Sequence, residues 1–164
     1  MANFRIEPAR IEDCGVILSF IRDLAEYERL LDQVVATEDD VRCELFGEKS
    51  VIRAVVAWED DKPVGFALYF FNFSTFLTRR GLYLEDLYVT PKCRGKGYGK
   101  QLMRHLARVA KQEGCGRFEW SVLDWNEPAI GFYESLGATV MLDWRICRLT
   151  GEALDRFAGN EGSK

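Results

Sequence analysis

The sequence predicts a single α/β domain built around a mixed sheet. Apolar residues recur at helical spacing over residues 11–28, as expected for an amphipathic helix. By contrast, Val51–Trp58 and Val64–Phe73 are rich in β-branched and aromatic residues, which is typical of strands. The chain has 164 residues, of which 48% are hydrophobic, and it contains no repeat or linker. We therefore expect one domain over residues 1–164 with a sizeable core.

The amino-terminal half is predicted to form a strand, two helices and a hairpin. The strand is Phe4–Ile6, and the first helix covers residues 11–28. Thr37 and Asp40 have the spacing of a helix start, and Gly47 is placed to end that helix. The two strand-like segments named above follow, separated by a short polar turn, and predict the hairpin.

The carboxyl-terminal half is predicted to alternate strands and helices. A glycine-rich segment precedes its longest helix, which carries Leu102, Leu106 and Val109 on one face. The other predicted elements are strand Leu82–Val89, strand Arg117–Leu123, a short helix from Asp124 to Leu136, one or two strands within Val140–Leu149, and helix Glu152–Phe157.

Charge is distributed unevenly along the chain. The net charge is −4, which argues against a dedicated nucleic-acid-binding protein. Residues 11–61 contain 14 acidic and 5 basic residues, whereas residues 92–117 contain 8 basic residues and 1 acidic residue. One region is therefore expected to favour a cation and another an anion, unless both are ordinary solvated faces.

The cysteines and the single histidine limit the possible chemistry. Five cysteines lie far apart in the chain, and His105 is the only histidine, so a zinc cluster or a Cys-His or Ser-His catalytic pair is not expected. The thiols are expected to be reduced, and no signal peptide or membrane segment is recognisable. We predict a cytoplasmic protein that needs no metal.

A glycine-rich loop, Arg94–Lys100, lies between a predicted strand and the longest helix. Its glycines allow successive N–H groups to point at one anion, and the helix amino terminus adds a positive dipole. The predicted guest is a phosphate or diphosphate; the alternative is a turn without a ligand. The P-loop pattern is excluded because Arg94 stands where glycine is required. The dinucleotide pattern is excluded because Lys100 occupies its third glycine position.

The Arg-x-x-Gly-x-Gly spacing of this loop resembles the GCN5-related N-acetyltransferase (GNAT) superfamily. A second similar motif combines Asn126–Ala129 with Phe132-Tyr133. The segments Tyr27-Glu28 and Tyr83–Asp86 further resemble the spermidine/spermine N1-acetyltransferase branch, which includes diamine and thialysine acetyltransferases. The resemblance implies an acyl-CoA N-acyltransferase (GNAT) fold with a mostly antiparallel central sheet, acetyl-CoA as co-substrate and a homodimer.

The resemblance also implies the residues of the site. Expected contacts of acetyl-CoA are Leu87, Tyr88, Val89, Arg94, Gly95, Lys96, Gly97, Tyr98, Gly99, Lys100, Asn126, Glu127, Pro128 and Ala129. Expected contacts of the amine are Tyr27, Glu28, Glu85, Asp86, Glu119, Trp120 and Ser121, and the last three differ from the identities usual in the branch.

Two residues are expected to be catalytic. The phenol of Tyr133 stays protonated at neutral pH and can donate a proton to the departing sulfur, although a tyrosine beside Phe132 can also be a packing residue. By resemblance, Glu85 accepts the proton of the amine directly or through water; the alternative is an ordinary ion pair at a strand edge. Asp143 is a further candidate for contact with the amine, and Cys93 is more simply a passive thiol.

Three functions are consistent with the sequence. The first is acetyl-CoA-dependent N-acetyl transfer to a small polycationic amine, a polyamine or diamine, by direct attack in a ternary complex. The second is the same reaction on an amino-acid-like amine such as thialysine. The third is a non-catalytic acyl-CoA-binding regulatory module that retains the loop. No nucleic-acid or membrane partner is expected in any of them.

Overall fold

The computed structural model describes residues 3–159. The chain divides into two compact units, one up to Trp125 and one from Asn126 onward. The expectation of a single domain over residues 1–164 stays a prediction, and residues 1, 2 and 160–164 lie outside the described part of the chain.

The first unit contains a five-stranded sheet in the order β1-β2-β3-β4-β5. The first four strands are antiparallel neighbours, and β5 is parallel to β4. A mixed, mostly antiparallel sheet is therefore confirmed. The strands are β1 (Phe4–Pro8), β2 (Ile52–Glu59), β3 (Lys62–Ser74), β4 (Arg79–Val89) and β5 (Arg117–Trp120).

Three α-helices belong to the described part of this unit: α1 (Cys14–Tyr27), α2 (Glu38–Phe46) and α3 (Tyr98–Gln112). The predicted start of α2 is confirmed, since Thr37 Oγ1 accepts a hydrogen bond from the Asp40 N–H at 3.2 Å. The Asp40 carboxylate in return accepts one from the Thr37 N–H at 2.8 Å, which completes a capping box. Gly47 ends the helix, as its sequence position predicts.

The apolar face of α1 packs on one face of the sheet. Ile17 and Phe20 of α1 join Val56, Phe66 and Tyr88 in a buried cluster. On α3, Leu102 and Leu106 are completely buried, and this helix contacts β4 and β5. The helical spacing of apolar residues in the sequence thus reflects burial against the sheet.

Between residues 126 and 159 the second unit contains two helices, α4 (Glu127–Ser135) and α5 (Gly151–Phe157). The prediction of strands within Val140–Leu149 is wrong, because the structure assigns no strand between residues 138 and 150. A strand needs a partner for its backbone hydrogen bonds, and the described part of this unit offers only helices. Leu142 and Trp144 are instead 88% and 73% exposed.

The predicted strand Arg117–Leu123 is shorter in the structure, where β5 ends at Trp120. Its last partner is Leu84 of β4, and residues 121–123 have no regular structure. Within residues 3–159, none of the helices combines the length and apolar character needed to cross a bilayer. The same residues contain no group of His, Cys, Asp or Glu side chains suited to a metal ion.

Candidate active site

The two parallel strands β4 and β5 separate part-way along β4. Their pairing runs from Gly81–Arg117 to Leu84–Trp120. Beyond this point β4 continues to Val89 and remains paired with β3 on its other side. Along the described residues, the edge of β4 that faces away from β3 therefore carries main-chain N–H and C=O groups between Glu85 and Val89 that β5 does not pair with, and of these the Val89 carbonyl already accepts a hydrogen bond from Arg94.

A β-bulge at Glu85 determines which side chains face α1. Leu68 pairs with Asp86, but the next residue, Tyr69, pairs with Leu84, so that Glu85 is an extra residue in β4. Cross-strand partners share a face of a sheet, and Leu68 belongs to the cluster beneath α1. The bulge thus brings Asp86 onto the α1 face, while Glu85 is solvent-exposed.

Three carboxyl groups interact at this point. Burial, together with the negative charges of Glu85 and Glu28, raises the pKa of Asp86 from 3.8 to about 6. Burial also raises the pKa of Glu28, which follows the last residue of α1. We call Glu28, Glu85 and Asp86 the acidic cluster. The negative charges of Glu85 and Glu28 disfavour ionised Asp86, and a cation bound beside it would offset their effect.

Aromatic rings and two arginines lie at the carboxyl end of α1. The rings of Tyr27 and Trp125 are 6.3 Å apart, and the Arg29 guanidinium lies 4.7 Å from the Trp125 ring centre. The Arg94 guanidinium lies 5.0 Å from the ring of Tyr27 and 5.8 Å from that of Tyr88. The structure therefore brings together two residues with different predicted roles. Tyr27 is predicted to contact the amine, and Arg94 is predicted to contact acetyl-CoA.

The glycine-rich loop has a backbone suited to an anion. Gly95 and Gly97 have φ values of 77° and 83°, in the left-handed region that favours glycine. Gly97 is the N-cap of α3 and, as a glycine, has no side chain with which to cap the helix. The first N–H groups of α3 are thus available at the positive end of the helix dipole. These features fit a diphosphate group such as that of acetyl-CoA.

The basic side chains of the loop are not equivalent. Arg94 Nε donates to the Val89 carbonyl at 3.0 Å, which fixes the side chain at the end of β4. Lys96 Nζ donates to Glu59 Oε1 at 2.7 Å, so this lysine is already in an ion pair. Two of the three basic residues predicted near the phosphates therefore already have a partner on the sheet. Arg94 is bonded to β4 and Lys96 to β2, and the third residue is Lys100.

The residues predicted on and after β5 have partners within the first unit. Glu119 forms an ion pair with Arg117 at 2.7 Å. The ring of Trp120 lies 4.9 Å from that of Phe118. The hydroxyl groups of Ser121 and Tyr83 are hydrogen-bonded at 2.7 Å. Contact of these residues with the amine stays a prediction.

The remaining predicted residues lie in the second unit. Asn126 is the N-cap of α4, and its Oδ1 accepts a hydrogen bond from the Ala129 N–H at 3.4 Å. Glu127 and Pro128 form the first turn of α4, where an acidic residue and proline are both favoured. The rings of Phe132 and Tyr133 are 5.3 Å apart. The joint action of Tyr133 and Glu85 stays a prediction, as does the role of the exposed Asp143.

Three residues that have no predicted role lie in this region of the structure: Arg29, Glu59 and Trp125. Arg29 follows the Tyr27-Glu28 segment and Trp125 belongs to the segment Trp125–Pro128 that resembles the branch, but an arginine near an aromatic residue is a weak signal in a sequence. The sequence predicts Glu59 as the first residue of the polar turn Glu59–Pro63 between the hairpin strands, because nothing in its neighbourhood indicates a partner 37 residues away.

Comparison with known proteins agrees with this geometry. The model of the acetyltransferase (GNAT) family matches residues 19–138. Thialysine N-epsilon-acetyltransferase of Sus scrofa is 42% identical over 170 residues, covering 97% of this chain and 99% of the relative. Spermidine/spermine N(1)-acetyltransferase-like protein 1 of Homo sapiens is 33% identical over 171 residues, which cover 98% of this chain and 24% of that longer protein.

A solved structure has the same architecture. An integron cassette protein from the mobile metagenome of V. cholerae superposes with a TM-score of 0.80 at 31% identity, and the match covers 94% of this chain and 97% of the other.

Proposed function

The chain belongs to the GNAT family of acetyltransferases, in the branch of the spermidine/spermine and thialysine enzymes, and from this premise we propose that its acceptor is a small polycationic amine. A polyamine or diamine is the substrate class. GNAT acetyltransferases use acetyl-CoA as donor. The transfer takes place by direct attack of the amine within a ternary complex.

The acidic cluster is the observation that carries this proposal. An alkyl ammonium has a pKa near ~10.4, so the substrate arrives with its positive charges. Glu28 and Asp86 attract those charges, and the partial burial of both carboxyl groups strengthens the attraction. The two groups come from α1 and β4, so they can bind different ammonium groups of one substrate.

Deprotonation of the attacking amine is assigned to Glu85, directly or through water. Asp86 assists, because a carboxyl group with a pKa of about 6 is a better proton acceptor than an ordinary aspartate. Tyr133 acts as the general acid that protonates the departing sulfur. A phenol suits that role because it keeps its proton at neutral pH until the thiolate forms.

Donor binding is assigned to main-chain groups and to the glycine loop. The free edge of β4 at Leu87–Val89 offers N–H and C=O groups to the acetyl carbonyl and the pantetheine arm, apart from the Val89 carbonyl, which Arg94 already contacts. The loop Arg94–Lys100 holds the diphosphate, and Asn126–Ala129 border the pantetheine arm. The donor supplies the activated acetyl group, and these residues orient it.

A second candidate substrate is an amino-acid-like amine such as thialysine. The Sus scrofa relative is named for this substrate and matches nearly the whole chain. In addition, the guanidinium groups of Arg29 and Arg94 contact the aromatic rings of Trp125 and Tyr27, and an amino acid has a carboxylate that an arginine can bind.

The remaining expectations are part of the same proposal. We propose that the protein works as a homodimer in the cytoplasm, without a metal ion and without nucleic-acid or membrane partners. The net charge of −4 supports the absence of a nucleic-acid partner. The resemblance supports the dimer.

An amine panel tests the acceptor. The release of CoA thiol is followed with spermidine, putrescine, thialysine and a monoamine, and kcat/KM is compared. Highest kcat/KM with spermidine or putrescine supports the first candidate, and highest kcat/KM with thialysine supports the second. Highest kcat/KM with the monoamine contradicts both, and so does acetyl-CoA binding without turnover of any amine, which is the behaviour of a regulatory module.

A further inference from the structure

Glu59, the last residue of β2, accepts hydrogen bonds from three residues of the segment that leads into α3. Lys96 Nζ donates to its Oε1 at 2.7 Å, and the Tyr98 hydroxyl donates to the same oxygen at 2.5 Å. Cys93 Sγ donates to Oε2 at 3.7 Å. One carboxylate therefore links the beginning, the middle and the end of the turn that contains the glycine loop.

The surroundings of this carboxylate favour a fixed arrangement. The Glu59 side chain is only 18% exposed although it is charged. Hydrogen bonds from Lys96 and Tyr98 hold the pKa of Glu59 below its usual value, and the hydrogen bond to Glu59 raises the pKa of Lys96. The Tyr98 ring also stacks on Phe4 of β1, with ring centres 4.1 Å apart. The Glu59 carboxylate and the Lys96 ammonium are thus both held in their ionised forms.

The bonded residues alternate with the two glycines of the loop. Lys96 lies between Gly95 and Gly97, and Tyr98 is the first residue of α3. Glycine loses more conformational freedom on ordering than any other residue, so a loop of this composition needs external contacts to hold one conformation. Glu59 supplies such contacts from a strand of the sheet.

We propose that Glu59 is a positioning residue for donor binding: through Lys96 and Tyr98 it preorganises the glycine loop, so that the loop N–H groups point at the diphosphate before the donor arrives. This inference rests on the proposed use of the loop for acetyl-CoA. It assigns to Lys96 a structural role besides its charge. The entropic cost of ordering the glycine loop then arises when the protein folds, and it no longer weakens the binding of the donor.

The test compares ligands with and without the diphosphate. Binding of CoA and of pantetheine, which lacks the diphosphate, is measured by calorimetry for the unchanged protein and for Glu59→Gln. CoA affinity is expected to fall about tenfold, as for the loss of one hydrogen bond to a charged group, while pantetheine affinity stays the same. Asp61→Asn is the matched control, since Asp61 lies in the adjacent turn and its side chain is fully exposed.

A second measurement needs no ligand and no turnover. Hydrogen exchange of the main-chain amides of residues 94–98 is expected to become faster in Glu59→Gln and to remain unchanged in Asp61→Asn. Tyr98→Phe removes one bond and keeps the carboxylate, so it is expected to change both measurements in the same direction by a smaller amount. This variant also keeps the proposal testable if Glu59→Gln does not fold.

Three results would overturn the inference. Unchanged CoA affinity and unchanged exchange would show that the loop is ordered without Glu59. Tighter CoA binding would show that Glu59 competes with the phosphates for Lys96. Equal weakening of CoA and pantetheine would show a general loss of structure. Failure of the proposed function is seen separately, as absence of turnover in the amine panel with CoA binding retained.

Discussion

Leu68 and Asp86 are direct partners across β3 and β4, and this pairing places a carboxyl group beside the apolar cluster beneath α1. Such a position is costly for a charge, and the pKa of Asp86 is raised to about 6 by burial and by the charges of Glu85 and Glu28. The acidic cluster is therefore an arrangement that stability alone does not favour. A bound ammonium group would offset that cost.

The pH dependence of amine use follows from this pKa. Ionised Asp86 attracts the ammonium, so kcat/KM for the amine is expected to rise as the pH increases through about 6. Asp86→Asn is expected to lower kcat/KM by at least about tenfold and to remove this rise. The measurement is a pH–rate profile between pH 5 and 8 at saturating acetyl-CoA. Asp32→Asn is the control, since it removes an exposed carboxyl group from the same acidic region. A profile unaltered in Asp86→Asn would contradict the assignment.

Stability has the opposite dependence on pH at this residue. Because the folded-state pKa of Asp86 is raised from 3.8 to about 6, its contribution to the free energy of unfolding is fully present below pH 3.8 and is lost as the pH rises through about 6. Asp86→Asn is therefore expected to flatten the pH dependence of stability and to raise stability at pH 7. Urea unfolding at several pH values measures this. Parallel curves for the two proteins would show that Asp86 keeps an ordinary pKa.

Glu28→Gln tests recognition of a second charge on the amine. The KM for spermidine is expected to rise about fivefold, corresponding to about 1 kcal/mol, while the KM for a monoamine changes little. Glu26→Gln is the matched control, since Glu26 is an exposed carboxylate in the last turn of α1, one residue before Tyr27. Equal changes of KM for both amines in Glu28→Gln would exclude binding of a distal ammonium at this position.

Tyr133→Phe tests the general acid. Loss of the phenol is expected to lower kcat by roughly 10²-fold, the lower end for general acid catalysis, without weakening acetyl-CoA binding. Steady-state kinetics gives kcat, and calorimetry of CoA binding shows whether the protein is still folded and able to bind the donor. An unchanged kcat would remove Tyr133 from its proposed role and leave it as a packing partner of Phe132.

Gly65→Ala tests the close approach of β3 to β4. A Cβ atom at this position would lie 2.4 Å from the Tyr88 carbonyl oxygen, so a strand of the sheet must move. The substitution is expected to lower the free energy of unfolding by about 1–3 kcal/mol, as for other overpacked sites. Gly131→Ala is the control, because a Cβ there meets nothing within 4 Å, and in helix α4 alanine is expected to stabilise by about 0.5–1 kcal/mol. Urea unfolding that shows no loss for Gly65→Ala would mean that β4 can shift freely.

Features that depend on local sequence were predictable. The capping box of Thr37 and Asp40, the end of α2 at Gly47 and the start of α3 after a glycine-rich loop each depend on a few consecutive residues. Their physical causes, hydrogen bonds at helix ends and glycine in left-handed backbone, act within one turn. A few consecutive residues are therefore enough to predict these helix ends.

Features that depend on distant partners were not predictable from the pattern. The alternation in Val140–Leu149 resembles a strand, but a strand forms only where another strand pairs with it. The bulge at Glu85 depends on the register between β3 and β4, and adjacent acidic residues alone do not reveal it. Glu59 gains its role from Lys96 and Tyr98, which lie far along the chain.

The free edge of β4 consists of main-chain atoms, and every residue type except proline carries the same N–H and C=O groups. Substitution of Leu87 or Val89 therefore changes the side chains of this strand and leaves the hydrogen-bonding edge intact. Related enzymes can diverge at these positions and keep the same edge, provided that no proline is introduced and no residue is inserted. On the proposed use of this edge for the donor, substitutions in the side chains of α1 and β5 can change acceptor preference while the donor-binding backbone keeps its geometry.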